Sequence, residues 1–210
     1  MMAGHVAQRA ELVKWVGLVA MFVDHAWRFL GVGFVGSGVV GRYAFPCFAV
    51  ALAAQVSDPL RVGLRLVLVG AALGVALVFF GRWPVLDVLC TLGAGLVLAW
   101  LGSRVVPWSW LAAVPVLLFA TRCEYGIPGA VLVCALWVLL RSDQPLFGAA
   151  LALGASCFLV VRGNGVGFVV GLGLALCLVV VGPVVPRVRK FFLSAYVLQW
   201  PVIWGLRALT

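Results

Sequence analysis

Between residues 12 and 208 the chain is a succession of apolar runs of helical length. The breaks are only a few residues long and rich in glycine, proline and charge. A helix needs about 20 residues to cross the hydrocarbon of a bilayer. On that measure the runs read as spans at 12–30, 39–56, 62–80, 85–101, 107–120, 126–140, 145–161, 166–182 and 191–208. The fifth and sixth are short, which suits a thin, tilted or re-entrant passage. Hydrophobic residues make up 65% of the chain and charged residues 10%. A soluble domain carries about 25% charge, so this chain cannot clothe one, and it is too apolar to be disordered. The expectation is an all-α, polytopic integral membrane bundle of about nine transmembrane helices. It forms a single transmembrane domain over 1–210, with no linker and no internal repeat.

The formal net charge of +9 comes from basic residues scattered singly between apolar runs. They read as loop charges that set orientation and touch lipid headgroups, not as a nucleic-acid surface. Arg9, Lys14, Arg61, Arg65, Arg104, Arg141, Arg187, Arg189 and Lys190 fall on the side of the N-terminus. Arg28, Arg42, Arg82, Arg122, Arg162 and Arg207 fall on the other. The excess favours a cytoplasmic N-terminus. The first run carries charges and lacks a small-residue cleavage site, so no cleavable signal peptide is expected. The cysteines form no CxxC pair and read as small buried hydrophobes. Gly70 with Gly74, and Gly167 with Gly171, make GxxxG spacings that permit close helix packing. The run 163–167 follows no strand and does not have the spacing of a dinucleotide site.

The first span is the informative one, because it contains Asp24, His25 and Arg28. Charged groups within a span cost about 2.5–3.5 kcal/mol each at the centre, and less toward an end, where these three sit. Asp24 and Arg28 are spaced i, i+4 and can pair on one face. His25 projects about 100° round the helix from Asp24 and must meet a different partner. A histidine takes and returns a proton near neutral pH, which makes His25 the candidate for proton transfer. The expected topology puts Arg42, Arg82, Asp87, Glu124, Tyr125, Arg162 and Asn164 at the same end of the bundle as His25. Arg42 and Asp87 begin apolar runs, whereas Arg82 and Arg162 read as wetted loop residues. No ligand spacing suggests a metal, and no Ser-His-Asp order is present.

At these residues the chain resembles the TraX family of polytopic inner-membrane proteins, which includes the pilin acetylase of conjugative plasmids and its TrbP relatives. Met21-Phe22-Val23-Asp24-His25 is like the family's apolar-Asp-His in the first span. Gly41-Arg42-Tyr43-Ala44-Phe45-Pro46-Cys47-Phe48 is like its Gly-Arg-x-Ala-Phe-Pro-x-Phe, the most specific of the matches. Arg65 opens the third span much as a family arginine does. The stretch 86–93 is similar to a Leu-Asn-x-Leu-x-Thr-Leu segment, with Asp87 in the place of asparagine. Glu124-Tyr125-Gly126 followed by Gly129 is similar to an acidic-Tyr-Gly-x-x-Gly segment. The last span, from Tyr196 through Gln199-Trp200-Pro201, is similar to the Tyr-Leu-x-His-Trp-Pro ending of the broader membrane acyltransferases. Gln199 stands where that pattern has histidine, and can still hydrogen-bond a substrate, as can Tyr196.

The resemblance implies acetylation of the amino terminus of a pilin or similar small membrane protein in a bacterial inner membrane, with acetyl-CoA as co-substrate and no metal. The residues accommodate such a reaction. His25 would take the proton of the attacking amine, and Arg42 would stabilise the oxyanion. Asp24 would orient His25 through a neighbouring group. Arg61 and Arg65, on the cytoplasmic side, would meet the phosphates of the donor. Asp87, Glu124 and Tyr125 complete the polar set. Two other readings use the same residues: a small-anion transporter, which ought to show inverted repeats, and a non-catalytic pilus assembly factor that binds a small membrane subunit through glycine-lined grooves.

Overall fold

The computed structural model describes residues 2–33, 36–79, 87–104, 108–161, 165–185 and 191–209, and among these every regular element is helical. In chain order they are α1 (Met2–His25) with a π-helical turn (Ala26–Leu30), α2 (Ser37–Gly41), α3 (Ala44–Gln55), α4 (Pro59–Phe79), α5 (Val88–Gly102), α6 (Trp108–Ala120), α7 (Gly126–Arg141), α8 (Pro145–Leu159), α9 (Gly165–Val181) and α10 (Phe191–Leu209). Each apolar run therefore forms helix, with two corrections. The first helix begins at Met2, well before residue 12, because residues 2–11 include three alanines and no proline and continue its ladder. The second run is not one helix but two. Pro46 has no N–H to give to the carbonyl of Arg42, so the ladder stops. The break is a tight turn in which Arg42 N–H bonds to Val39 and Tyr43 N–H to Val40.

Local chemistry sets the helix starts. Pro59 opens α4 with its φ already helical, and the Asp58 carboxylate accepts from Arg61 N–H at 3.1 Å. Asp87 caps α5 by accepting from Leu89 N–H at 2.9 Å. Pro145 stands at the start of α8. Pro115 and Pro201 lie inside α6 and α10, where each deletes one ladder bond. Of the described segments, Ser37–Gln55 and Pro59–Ala76 are long and apolar enough to cross a membrane by length and composition alone. The helices α5 to α9 are shorter and apolar.

The chain divides into two compact units. The first comprises Met1–Gln55 with Arg162–Thr210, and the second Val56–Val161. In the first, α1 packs on α3 and α9, α3 packs on α9, and α10 meets the π-helical turn and α1. Phe45 and Phe168 stack at 6.4 Å in its core. In the second, α5 is central, in contact with α4, α6 and α7, and α8 lies on α7. Leu89, Leu92, Leu96, Leu132 and Leu136 are fully buried there.

Glycine sets the separations of these helices. A Cβ on Gly93 would stand 2.6 Å from the Gly63 carbonyl, so α4 and α5 touch backbone to backbone. Of the GxxxG glycines, Gly70 faces Cys90, Gly167 faces the Val39 carbonyl and Gly171 the backbone of Tyr43. The expected packing role is thus met at these three. Replacing Gly93 with leucine is expected to destabilise the protein by at least about 1–3 kcal/mol, the ordinary cost of overpacking. Gly154→Ala, where a Cβ would meet nothing within 4 Å, is expected to be neutral or slightly stabilising. Unfolding midpoints of the two purified variants check both outcomes.

Candidate functional site

The polar residues at the C-terminal end of α1 form the centre of a site in the first unit. Asp24 Oδ2 accepts from Arg28 Nε at 2.9 Å, the i, i+4 pair expected from spacing. Asp24 is buried while Arg28 reaches the surface, so the carboxylate is neutralised in place. Its second oxygen, Oδ1, is buried without a hydrogen-bond partner. It lies against the backbone of Gly41, where a Cβ would stand 2.3 Å from Oδ1 and 2.4 Å from the Asp24 Cβ. The Asp-His and Gly-Arg motifs, separate in sequence, are therefore in direct contact. Farther down α1, where it meets α3, a Cβ on Gly17 would fall 2.6 Å from the ring of Phe48, the last residue of the second motif.

His25 faces away from this pair, as its helical phase requires. Its partner is Gln199: Nδ1 and Oε1 are 2.9 Å apart. Gln199 is 2% exposed, and its amide nitrogen donates to Met21 Sδ at 3.4 Å. With the amide so oriented its carbonyl faces His25. A carbonyl only accepts, so Nδ1 donates here, which in a neutral ring leaves the lone pair on Nε2. The imidazole is further held by rings: Trp200 at 4.8 Å and Phe29 at 5.5 Å between centroids, with Trp204 behind Trp200 at 6.0 Å. Trp200 Nε1 is buried and makes no hydrogen bond. Tyr196, one turn before Trp200, is 2% exposed. The backbone loosens immediately after His25, where α1 widens into its π-helical turn. Gly31, at φ +66°, ends that turn by donating to the Ala26 carbonyl. Such π-turns recur beside functional residues.

Of the other residues singled out from the sequence, Arg42 lies in the turn between α2 and α3. Its Cβ approaches α9 at Gly167. Asp87, Glu124 and Tyr125 belong to the second unit. Asp87 is 7% exposed and caps α5, while Tyr125 N–H donates to Thr91 Oγ1 at 3.4 Å. One end of α5 and the start of α7 are thus joined. Glu124 is exposed beside them. Arg61 and Arg65 are exposed on the first turns of α4. Arg82, Arg162 and Asn164 lie outside the described residues.

A second polar cluster, not singled out from the sequence, occupies the other end of α1. Glu11, 1% exposed, meets Lys14 at 2.7 Å and accepts from Gln55 Nε2 at 2.9 Å. Arg9 donates to the Val180 carbonyl of α9. The i, i+3 spacing of Glu11 and Lys14 was the available signal, but Gln55 joins them only through the α1–α3 packing.

Compared with known families, residues 9–207 match the family model described as TraX protein. The chain belongs to the TraX family. Membership is consistent with a conjugation-related, pilin-associated function. No curated protein and no solved structure matched the chain. Both motifs that carry the TraX resemblance, and the last-span ending similar to that of the broader acyltransferases, fall in the first unit. There they meet at Asp24, Gly41, His25 and Gln199.

The Asp24–Gly41 contact makes a sharp test. Gly41→Ala is expected to displace the Asp24 side chain and to lower stability by about 1–3 kcal/mol. Combining it with Asp24→Gly, which removes the opposing Cβ and carboxylate, is expected to cost less than the two single changes added together. A double-mutant cycle on unfolding free energies measures that coupling.

Proposed function

We propose that this TraX-family protein is a membrane-embedded N-acetyltransferase. It moves the acetyl group of acetyl-CoA onto the amino terminus of a pilin-like small membrane protein during conjugative pilus maturation. The observation that carries this reading is the His25–Gln199 hydrogen bond. It gives His25 the tautomer a general base needs, with the proton on Nδ1 and the lone pair on Nε2. The amine nitrogen of the acceptor attacks the thioester carbonyl and gives a proton to Nε2. The tetrahedral intermediate collapses with cleavage of the C–S bond, and the imidazolium returns the proton to the departing thiolate. The products are the acetylated amine and free CoA thiol. Arg42 is the proposed oxyanion partner, and Arg61 and Arg65 are the proposed contacts for donor phosphates. In this reading Gln199 is a positioning residue.

Membrane residence is supported by the surface as well as by the composition. Leu68, Leu111, Leu118, Leu146, Leu153 and Val180 are all more than half exposed on the helices. A surface this apolar aggregates in water but is at home in lipid. We assign α1 and α3 to α10 among the described residues as spans of a bacterial inner membrane, with lipid around them. The N-terminus is placed in the cytoplasm, as the excess of basic residues on that side favours. A second reading, a non-catalytic pilus assembly factor, is favoured by one observation: Gln199 occupies the place of the acyltransferase histidine.

Intact mass separates the two. Candidate pilin from cells carrying this protein is expected to gain one acetyl group at its amino terminus. His25→Ala is expected to slow that transfer by about 10²–10⁴-fold, the usual worth of a general base, with the protein still present in the membrane. Pilin that is unmodified in both strains supports the assembly factor. Gln199→Leu is expected to reduce the rate by about tenfold or more, since a lost buried hydrogen bond is worth about 1–3 kcal/mol. Rates of acetyl transfer in membranes from the two strains measure it.

A further inference from the structure

The second unit has a cleft that none of the foregoing uses. It lies where α4 begins, α5 ends and α7 passes, and it is an open cleft of about 430 Å³. Its walls are Ser57, Asp58 and Pro59 from the start of α4, Trp100, Ser103 and Arg104 from the end of α5, and Trp137 from α7. The Arg104 guanidinium sits over the Trp100 ring at 4.9 Å. No carboxylate pairs with Arg104 among the described residues. Asp58 shares the cleft, but its Oδ1 is engaged by the Arg61 N–H at 3.1 Å. Trp137 is fixed by its Nε1, which donates to the Val56 carbonyl at 3.4 Å. Ser103 Oγ donates to the Trp100 carbonyl at 2.7 Å.

One hydrogen-bonded indole, a second indole beneath a guanidinium, and no carboxylate on that guanidinium among the described residues form a recognisable kind of surface. Indole faces stack on planar heterocycles, and a guanidinium pairs bidentately with phosphate while stacking on the same rings. Asp58 is the one carboxylate in the lining, and three more arginines lie on the helices that form it. Arg61 and Arg65 stand on the first turns of α4, and Arg141 lies one turn beyond Trp137 on α7. These, with Arg104, are basic residues that the sequence places on the cytoplasmic side. The volume is toward the small end for a ligand pocket, which suits a nucleotide head and not a long thioester arm.

We propose that this cleft binds the adenine-nucleotide end of the acetyl donor, the base between Trp100 and Trp137 and a phosphate on Arg104. The assignment rests on the acetyl-transfer reading for its ligand, and it moves the principal donor contact from Arg61 and Arg65 to Arg104. The shared chemistry, adenine plus phosphate, also belongs to free nucleotides, so the test includes both sources.

The experiment uses the full-length protein purified in lipid nanodiscs and follows quenching of tryptophan fluorescence by CoA, by ADP and by acetyl-pantetheine, which lacks the nucleotide. CoA is expected to bind saturably and more tightly than ADP, and acetyl-pantetheine not to displace it. Arg104→Gln, at an exposed position that leaves the fold intact, is expected to weaken CoA binding at least tenfold, and Trp137→Leu likewise. Arg122→Gln, an exposed arginine on the α6–α7 turn, is expected to change nothing. CoA binding unaltered by Arg104→Gln, or no saturable binding of any adenine nucleotide, overturns the assignment. ADP binding as tightly as CoA overturns the donor and leaves a free-nucleotide site. The KM for acetyl-CoA in pilin acetylation separates this proposal from the one it rests on. An unchanged KM in Arg104→Gln removes the cleft and leaves acetyl transfer standing. Cleft-dependent CoA binding with pilin never acetylated does the reverse.

Discussion

A carboxylate inside an apolar helix must be neutralised where it stands, and the first unit is arranged around that demand. Asp24 is buried near the end of α1. One oxygen is held by Arg28 a turn later, and the other is covered by the backbone of Gly41. The pair is intrahelical, so it needs no tertiary partner to neutralise it. The cover is tertiary, and it works only because residue 41 has no side chain. This contact brings the turn at Arg42-Tyr43 against α1. It also fixes the rotation of α1 about its axis. His25, about 100° further round, is then directed at α10 and meets Gln199 and Trp200. The charged pair and the imidazole thus have different tasks, and the helical phase keeps them apart.

Glutamine at residue 199, where the similar ending of the broader membrane acyltransferases has histidine, has a specific consequence. Two imidazoles facing each other would share one hydrogen bond with either ring as donor. A glutamine carbonyl removes that freedom, because it only accepts. Met21 holds the amide the right way round by accepting from its nitrogen. With glutamine there, a single group in this pair can exchange a proton, and Nδ1 is fixed as the donor. The same residue that weakens the likeness to the broader acyltransferases therefore supplies a position for the remaining histidine.

The second unit shows how a glycine-rich bundle places polar groups at its ends. Close contact of α4 and α5 leaves no room for a side chain at Gly63 or Gly93. Polar residues collect where the helices terminate. At the start of α5, Asp87 caps the helix and Thr91 receives the backbone of Tyr125. At its end, Trp100 and Arg104 stand in the cleft with Trp137. One helix thereby connects two chemically different environments, one acidic and hydroxylic, the other aromatic and cationic.

Helix content and most helix limits, though not the start of α1 or the α2–α3 break, were legible in the sequence, because apolar period, proline and glycine act within a few residues of one another. So was the Asp24–Arg28 pair, whose geometry is set by the i, i+4 repeat alone, and so was the requirement that His25 look elsewhere. The restart of the second run at Ala44 is also encoded locally, in Pro46. The identity of His25's partner was not legible, since Gln199 lies 174 residues away. Nor was the cover that Gly41 gives Asp24, or the joining of Gln55 to Glu11 and Lys14. The gathering of Trp100, Arg104 and Trp137 around the start of α4 was equally hidden. Each of these depends on how helices are rotated and spaced against one another. Rotation and spacing are decided by the sum of many side-chain and glycine contacts across the bundle, whereas a residue's own neighbours in the chain determine only whether it is helical and which way it points.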